Sequence, residues 1–194
     1  MQIVEIIAVA GLGILFLLMA RVLVQTRGSA AVSPRGPQTS AMQTYLALRH
    51  QALQGSRKAS GLAAPSTLAE PWGVVMDMAL GNGSATVAAL SDGSASIYLS
   101  GGGGFIGGRS QQPVRDAAKK TVEEAKKCRP LMRATTSFPL PEKSEVAFYL
   151  LTDAGIFAAI ASEELVGTPS HPFARLYAAA QDVITQYRLS QQPE

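Results

Sequence analysis

The sequence predicts an α+β fold: an N-terminal transmembrane helix, then a five-stranded antiparallel sheet with packed helices, in the order α-βββ-α-ββ-α. Three observations carry this. A long apolar run occupies the first two dozen residues. Five short segments rich in β-branched and aromatic residues are set off by tight-turn signals. Two later segments begin at a proline and place apolar residues at helical spacing.

The apolar run extends from Ile3 to Val24, with Glu5 at one end and Arg21 at the other. At 1.5 Å per residue its 22 residues reach about 33 Å, enough to cross a hydrocarbon core of about 30 Å. A cleaved secretory signal needs a basic start, and this chain opens Met-Gln-Ile-Val-Glu. Residues 1–24 therefore read as a retained single-pass anchor. Arg21, Arg27 and Arg35 stand at the C-terminal flank of the run, and Glu5 is the one charged side chain at the other flank. The positive-inside rule then puts the rest of the chain in the cytoplasm, at the plasma or inner membrane.

Charge is unevenly distributed. The chain has 17 basic and 14 acidic residues. Residues 21–69 hold Arg21, Arg27, Arg35, Arg49, Arg57 and Lys58 with no acid, so the part from residue 70 onward carries a net −2. The sequence pI of 9.2 belongs to the segment behind the anchor, which removes the main support for nucleic acid as a partner. The basic segment from 25 to 60 is instead expected to attract anionic lipid.

Residues 25–71 read as a basic linker interrupted by a short amphipathic helix at 41–54. There Met42, Tyr45, Leu46 and Leu53 fall at helical spacing, with Arg49 and His50 beside them. That helix either lies on the membrane or packs on the following domain. Arg57-Lys58-Ala59-Ser60 resembles a basophilic phosphorylation site, a pattern that arises easily in a basic linker.

The domain is expected at 72–190, with a tail at 191–194. Val74, Met76, Met78 and Leu80 alternate in a first strand. Gly81-Asn82-Gly83 turns the chain into a second strand, Ala85–Leu90. Ser91-Asp92-Gly93 turns it again into a third, Ser94–Ser100. Pro113 starts a helix whose Val114, Ala117, Ala118, Val122, Ala125 and Cys128 form one stripe. Its other side holds Asp116, Lys119, Lys120, Glu123, Glu124, Lys126 and Lys127, with i, i+4 pairs expected at Asp116–Lys120 and Glu123–Lys127.

Strands at Glu145–Leu151 and Ile156–Ala161 flank Thr152-Asp153-Ala154-Gly155, and both are apolar on both faces. Pro172 starts the last helix. Ile97 and Ile156, Gly108 and Gly167, and Pro113 and Pro172 are each 59 positions apart. That spacing suggests either a ββα duplication or two ordinary ββα units.

The element order over about residues 41–190 resembles that of secretion-chaperone-like domains, dimeric α+β proteins that hold other proteins. It is also similar in element number to profilin-like and roadblock-like domains. The resemblance rests on element order alone and carries no site residue over.

Few residues suggest chemistry. Gly102-Gly103-Gly104-Phe105-Ile106-Gly107 matches G-x-G-x-x-G, but it follows a hairpin strand, and position 127 is a lysine where a dinucleotide site needs an acid. The run Gly101, Gly102, Gly103, Gly104, Gly107 and Gly108, with Arg109, is retained as a candidate anion or ligand loop. Asp77 reads as a carboxylate on the solvent side of an edge strand. His171 reads as a residue at a helix start, and Cys128 as the end of an apolar stripe. No disulfide can form within a chain that has one cysteine.

These features lead to one expectation and one alternative. The first is a membrane-tethered, non-enzymatic, cytoplasmic protein-interaction domain without cofactors or metals. Its partners are the lipid bilayer and either itself or another protein. The alternative is a small-ligand or anion-binding sensor using residues 101–108.

Overall fold

The computed structural model describes residues 36–191. The expected membrane span at 3–24 lies outside the described residues. No helix among the described residues is long and apolar enough to cross a membrane.

The elements in chain order are α1 (Gly36–Gln54), β1 (Gly73–Leu80), β2 (Gly83–Leu90), β3 (Ala95–Leu99), β4 (Gly104–Ile106), α2 (Gln112–Cys128), β5 (Arg133–Thr135), β6 (Glu145–Thr152), β7 (Gly155–Ser162), α3 (Glu163–Val166) and α4 (Ala174–Ser190). Single 3-10 turns stand at either end of α2. The strands form one seven-stranded sheet in the order β4-β3-β2-β1-β6-β7-β5, and every neighbouring pair is antiparallel.

This corrects the expected five-stranded sheet and its α-βββ-α-ββ-α order. The two extra strands are three-residue edges, β4 and β5, too short to show alternation in sequence. The glycine run contains β4, and the proline-containing loop after α2 contains β5. The helix expected at 41–54 also starts earlier, at Gly36, and Pro37 is compatible with a first helical turn.

Cross-strand partners share a face, so the register assigns every side chain. Val74, Met76 and Met78 of β1 lie on the same face as Ala85, Val87 and Ala89 of β2 and Val146, Phe148 and Leu150 of β6. Helices α2 and α4 pack against each other and cover this face. Their stripes, Val114, Ala118, Val122 and Ala125 on α2 and Leu176, Ala180 and Val183 on α4, are almost completely buried. Phe148 stacks on Phe173 with ring centroids 5.8 Å apart, and Phe105 stacks on Tyr187 at 5.2 Å. The Tyr187 hydroxyl donates to the Ala95 carbonyl (2.6 Å). A side chain at Gly108 would collide with that hydroxyl and with Val114, so close packing requires glycine there.

The opposite face carries Val75 and Asp77 of β1, Thr86 and Ala88 of β2, and Ala147, Tyr149 and Leu151 of β6. Helix α1 lies over it through Tyr45, Arg49 and Leu53, three residues at i, i+4 and i+8. Leu53, Leu62, Trp72, Val75, Ala88, Ala147, Tyr149 and Leu151 make one apolar cluster, joined by Phe138 and Ile156. Met42 and Leu46, expected in the helix stripe, face outward instead.

The connection from α1 to β1 is also docked on the domain. Arg57 pairs with Asp153 (2.8 Å), Leu62 is buried, and the Leu68 carbonyl accepts from the Ala154 amide (2.8 Å).

The two hairpins β1–β2 and β6–β7 meet at the β1–β6 seam, and each half continues into a long helix on the same face. The 59-residue spacing matches those helices only approximately. It aligns Ile97 of β3 with Ile156 of β7, whereas the topology makes β2 the counterpart of β7.

Candidate functional site

The most concentrated polar chemistry in the described residues is a buried cluster between α1 and the sheet. Asp77 stands at the middle of β1, a central strand between β2 and β6, and is completely buried. Arg49 reaches it from α1, donating from Nε (2.8 Å) and Nη2 (2.7 Å) to the same oxygen, Oδ2. The Thr86 hydroxyl donates to Oδ1 (2.5 Å). A hydroxyl has one proton to give, so Tyr45, 3.0 Å from Thr86 Oγ1, must be the donor in that bond.

The remaining capacity of Arg49 Nη2 goes to the carbonyls of Phe138 (2.9 Å) and Pro139 (3.3 Å). The Tyr149 hydroxyl donates to the same Pro139 carbonyl (2.6 Å), and its ring lies 5.7 Å from the guanidinium. Five side chains and one loop thus form a closed network.

Its electrostatics follow from the burial. Desolvation pushes the Asp77 carboxyl above the usual carboxylate range, against the pull of Arg49 and Thr86. Desolvation also works against the Arg49 charge, but its bonds to Asp77 outweigh that and keep the guanidinium charged. Burial raises the Tyr149 phenol to about 12, with the Asp77 charge adding to the shift. Both carboxylate oxygens are occupied, so the cluster clamps α1 to the sheet and offers no open position to a substrate.

Asp77 therefore corrects the reading of an edge-strand carboxylate facing solvent. The available signal was one acid on an otherwise apolar strand, together with one arginine at the centre of a helix stripe. Thr86 and Tyr149 carried no separate signal.

The candidate ligand loop has a structural role. Gly101, Gly102 and Gly103 turn the chain between β3 and β4, with the Gly102 amide donating to Leu99 (2.9 Å) and the Leu99 amide to Gly103 (3.2 Å). Gly104 pairs with Tyr98, and its φ of 144° and its approach to the Ile97 carbonyl both require glycine. Gly107, at φ 84°, donates to Ala95 (3.1 Å), and Gly108 is packed under Tyr187. Arg109 turns to Asp92 (3.3 Å), whose carboxylate also receives the amide and hydroxyl of Ser94.

The other singled-out residues are scattered. His171 Nδ1 accepts the Phe173 amide (3.2 Å) just before α4. Cys128 is buried at the end of α2, and burial pushes its thiol up, away from the thiolate. Among the described residues, no group of three or more His, Cys, Asp or Glu side chains is placed to hold a metal ion. Comparison of the chain with protein-family models, with curated proteins and with solved structures gave no match.

Proposed function

We propose that this chain is a membrane-tethered, non-enzymatic domain that binds another protein on the cytoplasmic side. The tether is read from the apolar segment Ile3–Val24 and the arginines behind it. The non-enzymatic reading is supported by the sealed Asp77 cluster and the buried Cys128 thiol.

The observation that carries the interaction reading is the contrast between two equally apolar neighbours. Strand β6 is buried along nearly its whole length, whereas β7 is only partly covered throughout. Ile160 of β7 is 49% exposed. Strand β5 pairs with β7 only at Ile156, Phe157 and Ala158, so among the described residues the outer edge from Ala159 to Ser162 has no strand beside it. An apolar strand with a free edge can accept an extended segment of a partner. The interaction surface is then this edge and not a sheet face, because helices α2 and α4 cover one face and α1 the centre of the other.

The test is a photo-reactive amino acid at position 160 of the full chain in native membranes. The expected result is a discrete protein adduct, lost when Ser162→Pro, at a backbone φ of −62°, removes an outward-facing edge amide. A folded, membrane-bound chain that gives no adduct at 160 overturns the reading.

A further inference from the structure

The outward side of α1 has an unusual composition for a surface. Arg49 is the one charged side chain in the 19-residue helix, and it is buried on Asp77. The exposed residues from position 42 on are Met42, Gln43, Thr44, Leu46, Ala47, His50, Gln51 and Gln54, with Met42 at 38% and Leu46 at 43% exposure. Soluble surfaces are normally about 25–35% charged. Helix α2 follows that rule, exposing Asp116, Lys119, Lys120, Glu123 and Lys127. This face presents Met42 and Leu46 one turn apart among neutral Gln43, Thr44, His50, Gln51 and Gln54, so it can approach an apolar phase without desolvating a charge.

The chain outside the described residues identifies that phase. Eleven residues separate Val24, the end of the apolar segment, from Gly36. Fully extended, they span at most about 36–40 Å. Whatever their conformation, α1 starts within that distance of the segment's end and is the first described element from it. The charge between them is purely basic, Arg27 and Arg35, beside Arg21. Tethering converts a weak contact into an intramolecular one, so two half-exposed apolar side chains are enough to engage a surface already held nearby.

We infer that the outward face of α1 rests on the lipid surface, with Met42 and Leu46 at the headgroup level and the Arg49–Asp77 pair fixing the domain behind it. This rests on the tether reading above and adds the docking surface. It also revises the source of lipid attraction. Of the six basic residues between 21 and 69, Arg49 is committed to Asp77 and Arg57 to Asp153. The salt-dependent part of binding then falls to Arg21, Arg27, Arg35 and Lys58.

The experiment uses the full chain reconstituted in vesicles of phosphatidylcholine with one quarter phosphatidylserine. An environment-sensitive dye is attached through Leu46→Cys in one sample and through Lys119→Cys, on the charged face of α2, in another. Unlabelled Cys128 in the parent chain serves as the labelling control. The expected result is a blue-shifted emission at 46, quenched by a nitroxide carried on the lipid, and a water-like, unquenched emission at 119. A water-like emission at 46 in a chain that floats with the vesicles overturns the lipid-facing surface and leaves the tether standing. Failure to float overturns both. A blue shift at 46 that disappears when the protein-to-lipid ratio is lowered assigns the face to a second copy and also overturns the inference.

Discussion

The two faces of the sheet are covered by different means. On the α2–α4 face the contact is mainly apolar: Met76, Met78, Val87 and Phe148 meet Val114, Val122, Leu176 and Val183, all almost completely buried, and the buried Gln181 amide reaches only the Met78 sulfur (3.1 Å). On the α1 face the apolar cluster around Leu53 and Tyr149 adjoins an ion pair in which Asp77 is fully buried and Arg49 nearly so. Apolar packing is tolerant, because many side chains of the right volume suffice. A buried ion pair is intolerant, because removing either partner strands a charge. The first face therefore holds its helices by area, while the second fixes the position of one helix through a single set of partners. Fixing α1 matters, since α1 is the element nearest the apolar N-terminal segment in sequence.

The largest expected effect breaks this comparison directly. Arg49→Met leaves Asp77 buried without its counter-charge and should cost about 3–5 kcal/mol. Replacing the whole set, R49M with D77L, T86V and Y45F, should recover most of that loss, because no charge then remains stranded and only the part-buried Phe138 carbonyl loses its donor. Urea denaturation of the full chain in mild detergent measures both. A loss below about 1 kcal/mol for R49M would mean that water reaches Asp77 and that the face is not sealed.

The same comparison explains what was legible in the sequence. The five main strands could be read because alternation and the turns at Gly81-Asn82-Gly83, Asp92-Gly93 and Asp153–Gly155 are local signals. The stripe of α2 was equally clear, since its seven buried residues are nearly all apolar. Its ion pairs differ in detail: Lys126 and Lys127 reach back three residues to Glu123 and Glu124, and Lys126 also meets Glu70. The α1 face was harder to read because its central residues are polar. A stripe centred on Arg49 looks weak to any hydrophobic pattern, and an acid in β1 looks like a solvent position until its partner, 28 residues away, is placed beside it. Long-range pairing leaves no periodic trace. Strands β4 and β5 were missed for a different reason: they are added at the sheet edges by neighbours already in place, through three residues each.

A second prediction sharpens the comparison by pH. The Tyr149 phenol has its folded value raised to about 12 from 10.0. The unfolded chain therefore loses this proton first, and the folded state binds it more tightly. Stability from this group is fully present below pH 10 and is lost as pH rises from 10 to 12, by about 1.4 kcal/mol at pH 11. Tyr149→Phe should lower stability by about 1 kcal/mol at neutral pH through the lost bond to Pro139, yet flatten the alkaline decline. Thermal unfolding across pH 8 to 11 reads both. An alkaline limb as steep in the variant as in the parent would place the titrating group elsewhere, such as Tyr177, whose phenol is also raised by burial.

The smallest effect is expected on the outward side of α2, where charge is dense but solvated. Lys127 bonds Glu124 at 2.7 Å, and its side chain is 62% exposed. Such a pair gains little, because water screens the attraction and ordering two long side chains costs entropy. Lys127→Ala should therefore change stability by less than about 0.5 kcal/mol at low salt, and alanine's better helix propensity works in the opposite direction to the lost pair. Raising the salt to about 1 M shortens the screening length to about 3 Å and should erase what difference remains. The variant's solubility is the property to watch, since this charged face separates the domain from its neighbours in solution. A loss above about 1 kcal/mol that persists in high salt would show that the α2 charges hold structure, and the contrast with the single sealed pair under α1 would no longer stand.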